Sequence, residues 1–149
     1  MIQTTSIRLL LDTKGKDVYS LSPEDSVFQA IETMATKSVG ALLVLQEEKL
    51  VGIVSERDYA RKVILKGRHS KEALIREIMT SPVTYISPAC TVDEAMALMT
   101  EKRIRHLPVV DGERVVGVVS IGDLVKHIID EQAATIGHLH AYITGQYPR

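Results

Sequence analysis

The chain is poor in several residue types, and each shortage removes a class of function. It holds one cysteine, Cys90, which rules out an internal disulfide framework and fits a reducing compartment, with the cytoplasm as the default expectation. Tryptophan is missing and aromatics make up only 4%, so a platform for stacking the bases of a single strand is not expected. The formal net charge is −1 over 149 residues. No large global charge is therefore available to attract nucleic acid or an anionic membrane. No apolar run approaches the roughly 20 residues that a bilayer-spanning helix needs. The opening stretch "MIQTTSIRLLLDTKGKD" has a single Arg and a short apolar patch, and reads as a native helix, not a signal peptide. The phosphate-binding patterns G-x-x-x-x-G-K-[ST] and G-x-G-x-x-G do not occur, and no nucleophile–base–acid set stands out, so an enzyme is not expected.

What the chain does have is an internal repeat. Sliding it by 65 residues aligns 17–58 with 82–123 without a gap, and 15 of the 42 pairs are identical, among them Pro23/Pro88, Met34/Met99, Gly52/Gly117, Ser55/Ser120 and Asp58/Asp123. Several other pairs exchange one apolar residue for another, such as Leu21/Ile86, Val39/Ile104 and Ile53/Val118. Two copies of one supersecondary unit explain this. A unit of about 42 residues is too short to bury an adequate core alone, so the copies are expected to pack face to face with pseudo-twofold symmetry.

Each copy reads β-α-β-β-α. A short strand, "VYSL" or "VTYI", runs into Ser22-Pro23 or Ser87-Pro88, where Ser as N-cap and Pro at the first helical position predict a helix start. Val27, Ala30, Ile31 and Met34, like Val92, Ala95, Met96 and Met99, follow at helical spacing as core residues. The strands "ALLVL" and "LVGIV", or "LPVVD" and "VVGVV", are joined by tight turns, with Asp111-Gly112 the stronger hairpin signal. A Ser-x-x-Asp turn then opens the last helix. The expected class is α/β with mixed sheets covered by helices. The expected divisions are an N-terminal helical segment at 1–16, the first repeat at 17–66, a linker with a short amphipathic helix at 67–80, the second repeat at 81–130 and a helical tail at 131–149.

The second copy, "MTSPVTYISPACTVDEAMALMTEKRIRHLPVVDGERVVGVVSIGDLV", resembles the CBS domain, the cystathionine β-synthase type repeat, and the first copy carries a looser version. The resemblance covers roughly 17–130 and implies a stand-alone tandem pair, a Bateman module. It further implies an adenosine-containing ligand (AMP, ADP, ATP, NAD or S-adenosylmethionine) in clefts between the repeats, and assembly into dimers. In this family the pattern Gly-apolar-apolar-Ser/Thr-x-x-Asp gives its Asp to ribose and its Ser or Thr to phosphate. Here that implies Ser120, Gly122 and Asp123 in one cleft, with Val18, Tyr19, Val39 and Gly40 from the other repeat. It implies Ser55 and Asp58 in the second, with Val83, Thr84, Ile104 and Arg105.

The residues themselves leave two readings open. Ser55 and Ser120 are well placed as ordinary N-caps, with Asp58 and Asp123 at the positive end of the helix dipole. The same helix mouth, with free amides, also suits a phosphate. Charge bears on the ligand. "EKRIRHLPV" sets Lys102, Arg103, Arg105 and His106 before a strand, whose alternation must turn Arg105 or His106 into the cleft. With Arg57, these cations favour a phosphorylated adenosine or NAD over the cationic S-adenosylmethionine, because a guanidinium grips phosphate by a two-point fork. His138-x-His140 lacks a third ligand at suitable spacing, and no metal site is expected. The expected function is a regulatory nucleotide-binding homodimer without a catalytic cofactor. The alternative is a structural dimerisation module without a physiological ligand.

Overall fold

The computed structural model describes the backbone of residues 5–144 and the side chains of residues 5–137. The expected fraying near "GQYPR" and the side chains of His138 and His140 lie outside the described residues.

Two β-α-β-β-α units are present. In the first, β1 (Ser20–Leu21) pairs parallel with β2 (Ala41–Gln46), which pairs antiparallel with β3 (Lys49–Ser55). Helix α2 (Val27–Lys37) connects β1 to β2, and α3 (Glu56–Tyr59) follows β3 directly. A single π-helical stretch, Ala60–Ile64, extends α3. In the second unit α4 (Val92–Lys102) precedes the antiparallel hairpin β4 (His106–Asp111) and β5 (Arg114–Ser120), and α5 (Ile121–Thr144) leaves β5. The counterpart of β1 is reduced to one bridge, Ile86 to Val109. Both hairpins carry the same irregularity, between Val44 and Leu45 and between Val109 and Val110, so the repeat extends to the register.

Helices α2 and α4 start later than their Ser-Pro dipeptides predict. Ser22 and Ser87 are not N-caps. Ser22–Asp25 forms a turn in which Asp25 Oδ2 accepts from the Ser22 amide at 2.8 Å. The caps are Ser26 and Thr91, each closing a reciprocal box with Gln29 or Glu94. The box wins because it satisfies two amides at once, whereas Pro only spares one. The linker holds a 3₁₀ turn at Ile75–Glu77 in place of an amphipathic α-helix. Its apolar residues point into a core without helical periodicity.

There are two cores, and the N-terminal segment crosses to the one that lies farther along the chain. Val27, Ala30, Met34, Leu42, Val44, Val54 and Val63 of the first repeat are closed over by Ala73, Ile75 and Ile78 of the linker. Val92, Ala95, Met99, Leu107, Val109, Val119 and Leu124 of the second are closed over by Ile7, Leu10 and Leu11 of α1 (Ile7–Lys14), which comes from the far end of the chain. Each such side chain removed from water contributes about 1.5–3 kcal/mol, so these few residues decide whether either half is stable. Both docking segments lean on a glycine. A Cβ on Gly117 would come within 2.8 Å of Leu11, and one on Gly52 within 2.5 Å of Met79.

Candidate functional site

Where β3 turns into α3, Ser55 ends an extended strand and caps the helix. Its amide and hydroxyl donate to Asp58 Oδ2 at 2.9 and 3.0 Å, and the Asp58 amide donates back to Ser55 Oγ at 3.2 Å. The other oxygen, Oδ1, faces Lys62 Nζ at 3.0 Å and the Thr80 hydroxyl at 3.4 Å. Capping therefore occupies one edge of this carboxylate, while Lys62 and Thr80 engage the other.

Asp58 lines a cavity of about 280 Å³ between the two repeats. The first repeat contributes Gly40, Ala41, Ile53 and the Ser55–Asp58 turn, and the second contributes Thr80, Thr84 and Arg103–His106. Arg57 Nη1 reaches across to the Arg103 carbonyl at 3.4 Å. Arg57, Arg103 and Arg105, all exposed, are among the lining residues of this cavity, and its acidic residues are Glu56 and Asp58. The arrangement suits an anion carrying hydroxyl groups: arginines for the anion, a carboxylate for the hydroxyls.

The β5–α5 turn repeats the box. The Ser120 amide donates to Asp123 Oδ2 at 2.8 Å and the Asp123 amide to Ser120 Oγ at 3.1 Å. Here Lys14, the last residue of α1, adds an ion pair to Oδ2 at 2.8 Å. Burial raises the Asp123 pKa, but the hydrogen bonds from Lys14 and the Ser120 amide outweigh it and hold the carboxyl below its ordinary range. His106 stands half-buried between the turns. Burial pulls its pKa down, against the opposing pull of Asp123 and Glu56. It packs so near Gly40 that a Cβ there would lie 3.4 Å from the imidazole and 3.2 Å from Glu56 Oε1.

A CBS family model matches residues 13–65 and again 75–130. The chain belongs to the CBS-domain family. A CBS domain-containing protein of Arabidopsis thaliana, CBSX3, named as mitochondrial, is 38% identical over 97% of this chain and 75% of its own length. A putative signal-transduction protein with CBS domains from Burkholderia ambifaria superposes with a TM-score of 0.84 at 50% identity, covering 86% of this chain and 96% of that one. A CBS domain pair solved in complex with 5′-methylthioadenosine and S-adenosyl-L-methionine superposes with a TM-score of 0.76 at 27% identity, covering 86% and 98%.

The CBS pair gathers Ser55, Arg57, Asp58, Thr84, Ile104, Arg105 and His106 into one cavity, together with Gly40, which the sequence assigned to the other cleft. Val83 is half-buried and is not among that cavity's lining residues. Ser120 and Asp123 come together at the α5 mouth with Gly122 exposed between them. Val18 is half-buried before β1, while Tyr19 and Val39 pack against the first core, with Lys37 Nζ over the Tyr19 ring at 5.3 Å. Lys14, Glu56, Thr80 and Arg103 were not singled out as binding residues. Lys14 and Thr80 precede the aligned blocks, so repeat arithmetic passed over them, and Arg103 was grouped with its neighbours as a helix-end cation. Among the described residues no helix is long and apolar enough to cross a membrane, and no cluster of three metal-ligating side chains occurs.

Proposed function

We propose that this CBS pair is a non-catalytic regulatory module that binds an adenosine phosphate (AMP, ADP or ATP) or NAD between its repeats and reports occupancy through its conformation or assembly. The observation that carries the reading is the Ser55–Asp58 cavity, whose lining residues include a capped carboxylate together with Arg57, Arg103 and Arg105. Asp58 takes the ribose hydroxyls, and Arg57, Arg103 and Arg105 take phosphate. The adenine lies against Ile53, Thr84 and Ile104. The family resemblance and the neighbour holding adenosine-containing ligands support the adenosine class. The arginines favour phosphorylated members of that class over a sulfonium. The working assembly is a homodimer, supported by the apolar side chains left exposed on α5: Val125, Ile129 and Ile136. A reducing compartment, the cytoplasm, is proposed from the single unpaired thiol of Cys90.

Thermal melts and calorimetry with AMP, ATP, NAD and S-adenosylmethionine test the proposal. Ligand at about ten times its Kd stabilises the fold by about 1.4 kcal/mol, a rise of a few degrees for a chain of this size. Asp58→Ala abolishes the rise for AMP. Flat melts with every nucleotide would leave a structural dimerisation module, a reading favoured by the fact that both Asp58 and Asp123 close capping boxes.

A further inference from the structure

Ile64 and Ile129 hold the same position in the two repeats, and both are more than half exposed, at 57% and 56%. Each has a second bare apolar neighbour: Leu65, just past the π-helical extension of α3, and Val125, one turn back on α5. A lone exposed isoleucine is ordinary, but the same one left bare by both copies of a repeat marks a surface that the copies share.

The charge around the two differs in sign. Residues 59–71 carry Arg61, Lys62, Lys66, Arg68 and Lys71 and no acid. The matching stretch, 124–136, carries Lys126 with Asp130 and Glu131, and these two acids stand where the first repeat has Leu65 and Lys66. Lys62 is paired to Asp58 and Arg68 to Glu77. Glu131 faces His127 and accepts from the Thr5 hydroxyl. Arg61, Lys66 and Asp130 are exposed, with no oppositely charged partner among the described residues.

Two copies related by a twofold axis can meet through this surface in two ways. Head-to-head contact sets Arg61 and Lys66 against the partner's Arg61 and Lys66, and sets the acids of the two α5 helices against each other. Head-to-tail contact sets the basic stretch of each copy on the acidic stretch of the other, twice over, with Ile64 beside the partner's Ile129. Like charges juxtaposed across an interface are costly, whereas opposite ones steer the encounter and fix its register. We propose that the homodimer is head-to-tail, the Arg61–Lys66 edge of one first repeat seated on the Val125–Glu131 stretch of the partner's second. The inference rests on the homodimer reading above and gives it an orientation; it is independent of the nucleotide.

Light scattering on the full parent chain comes first. A monomer at micromolar concentration ends the homodimer reading and the orientation with it, before any variant is made. For a dimeric parent, Ile64→Cys and Ile129→Cys are prepared as separate chains in a Cys90→Ser background and treated with a short bis-maleimide. Head-to-tail pairing gives a covalent dimer when the two chains are mixed and none from either chain alone. Self-linking of Ile64→Cys would overturn the proposal in favour of head-to-head contact, and a dimeric mixture that does not link would place the interface elsewhere. Charge reversal is the second arm. Lys66→Glu weakens the dimer about threefold or more, since the change acts at both symmetric contacts. Adding Asp130→Lys to the same chain brings the affinity back to within about twofold of the parent, because each reversed charge again meets its opposite on the partner. Both side chains are exposed, and melting curves confirm that the variants fold. Further weakening by the second substitution, with no rescue, would also overturn the proposal.

Discussion

Arg57 and Arg103 clasp the two repeats across the cavity, side chain to main chain, with Nη1 3.4 Å from the carbonyl oxygen. The acceptor is presented by an unusual backbone. Arg103 ends α4 in the left-handed region, at φ 56°, and Ser38 ends α2 in the same way. Glycine normally takes this position, because a Cβ there costs roughly 1 kcal/mol or more. Arg103→Gly should accordingly raise stability by about 1 kcal/mol in urea unfolding while weakening AMP binding. A variant that is both less stable and unaltered in binding would show that Arg103 is held for packing alone.

The glycines divide into two kinds. Gly117→Ala pushes a methyl to within 2.8 Å of Leu11, which is only 2% exposed and has nowhere to go, so a loss of about 1–3 kcal/mol is expected. Gly122→Ala meets nothing nearer than Ser120 Oγ at 3.6 Å. It lies in the first turn of α5, and the gain in helix propensity should stabilise the chain by about 0.5–1 kcal/mol. Denaturant midpoints for the two variants should move in opposite directions.

His106 sets an acid limit. Burial lowers its pKa from the ordinary 6.5, with Lys14 and Arg105 adding to the effect and Asp123 and Glu56 opposing it. The unfolded chain therefore takes up this proton at higher pH than the folded chain does. Stability contributed by the neutral ring is complete above pH 6.5 and falls as pH drops from there toward the folded value. His106→Gln should flatten the melting temperature between pH 7.5 and 5.5. Asp123, held low, acts at more acid pH: its contribution is present above the ordinary 3.8 and is lost as pH falls through the folded value.

Val125 and Ile129 lie one turn apart on α5 and are 40% and 56% exposed. If a second copy covers them, the double variant Val125→Glu, Ile129→Glu should halve the mass measured by light scattering without unfolding the monomer. A parent chain that is already monomeric at micromolar concentration would end the homodimer proposal.

Much of this architecture was legible in advance because duplication prints itself on a sequence. Val27, Ala30 and Met34 recur as Val92, Ala95 and Met99, and all six are buried. The Ser-x-x-Asp turns fall at helix mouths for the same reason. Ser22-Pro23 and Ser87-Pro88 misled because a strong N-terminal dipeptide was outcompeted four residues on by a reciprocal box at Ser26 and Thr91, whose second half, Gln29 or Glu94, carries an equally readable signal. Lys14 and the linker were illegible for a different reason. Asp123 lies 109 positions beyond Lys14, and no local periodicity encodes either α1 docking on the far repeat or the linker folding back on the repeat it follows.

The crossing of the N-terminal segment has a consequence for how the chain is made. The first core is complete once the linker through Ile78 has emerged from the ribosome, but α1, synthesised earliest, finds its seat only after Leu124 exists. The beginning of the protein must wait for its end. Cutting between the repeats would strand α1 on the wrong fragment, so the two halves, alike as they are, are not interchangeable modules but a single cooperative knot of mutual dependence.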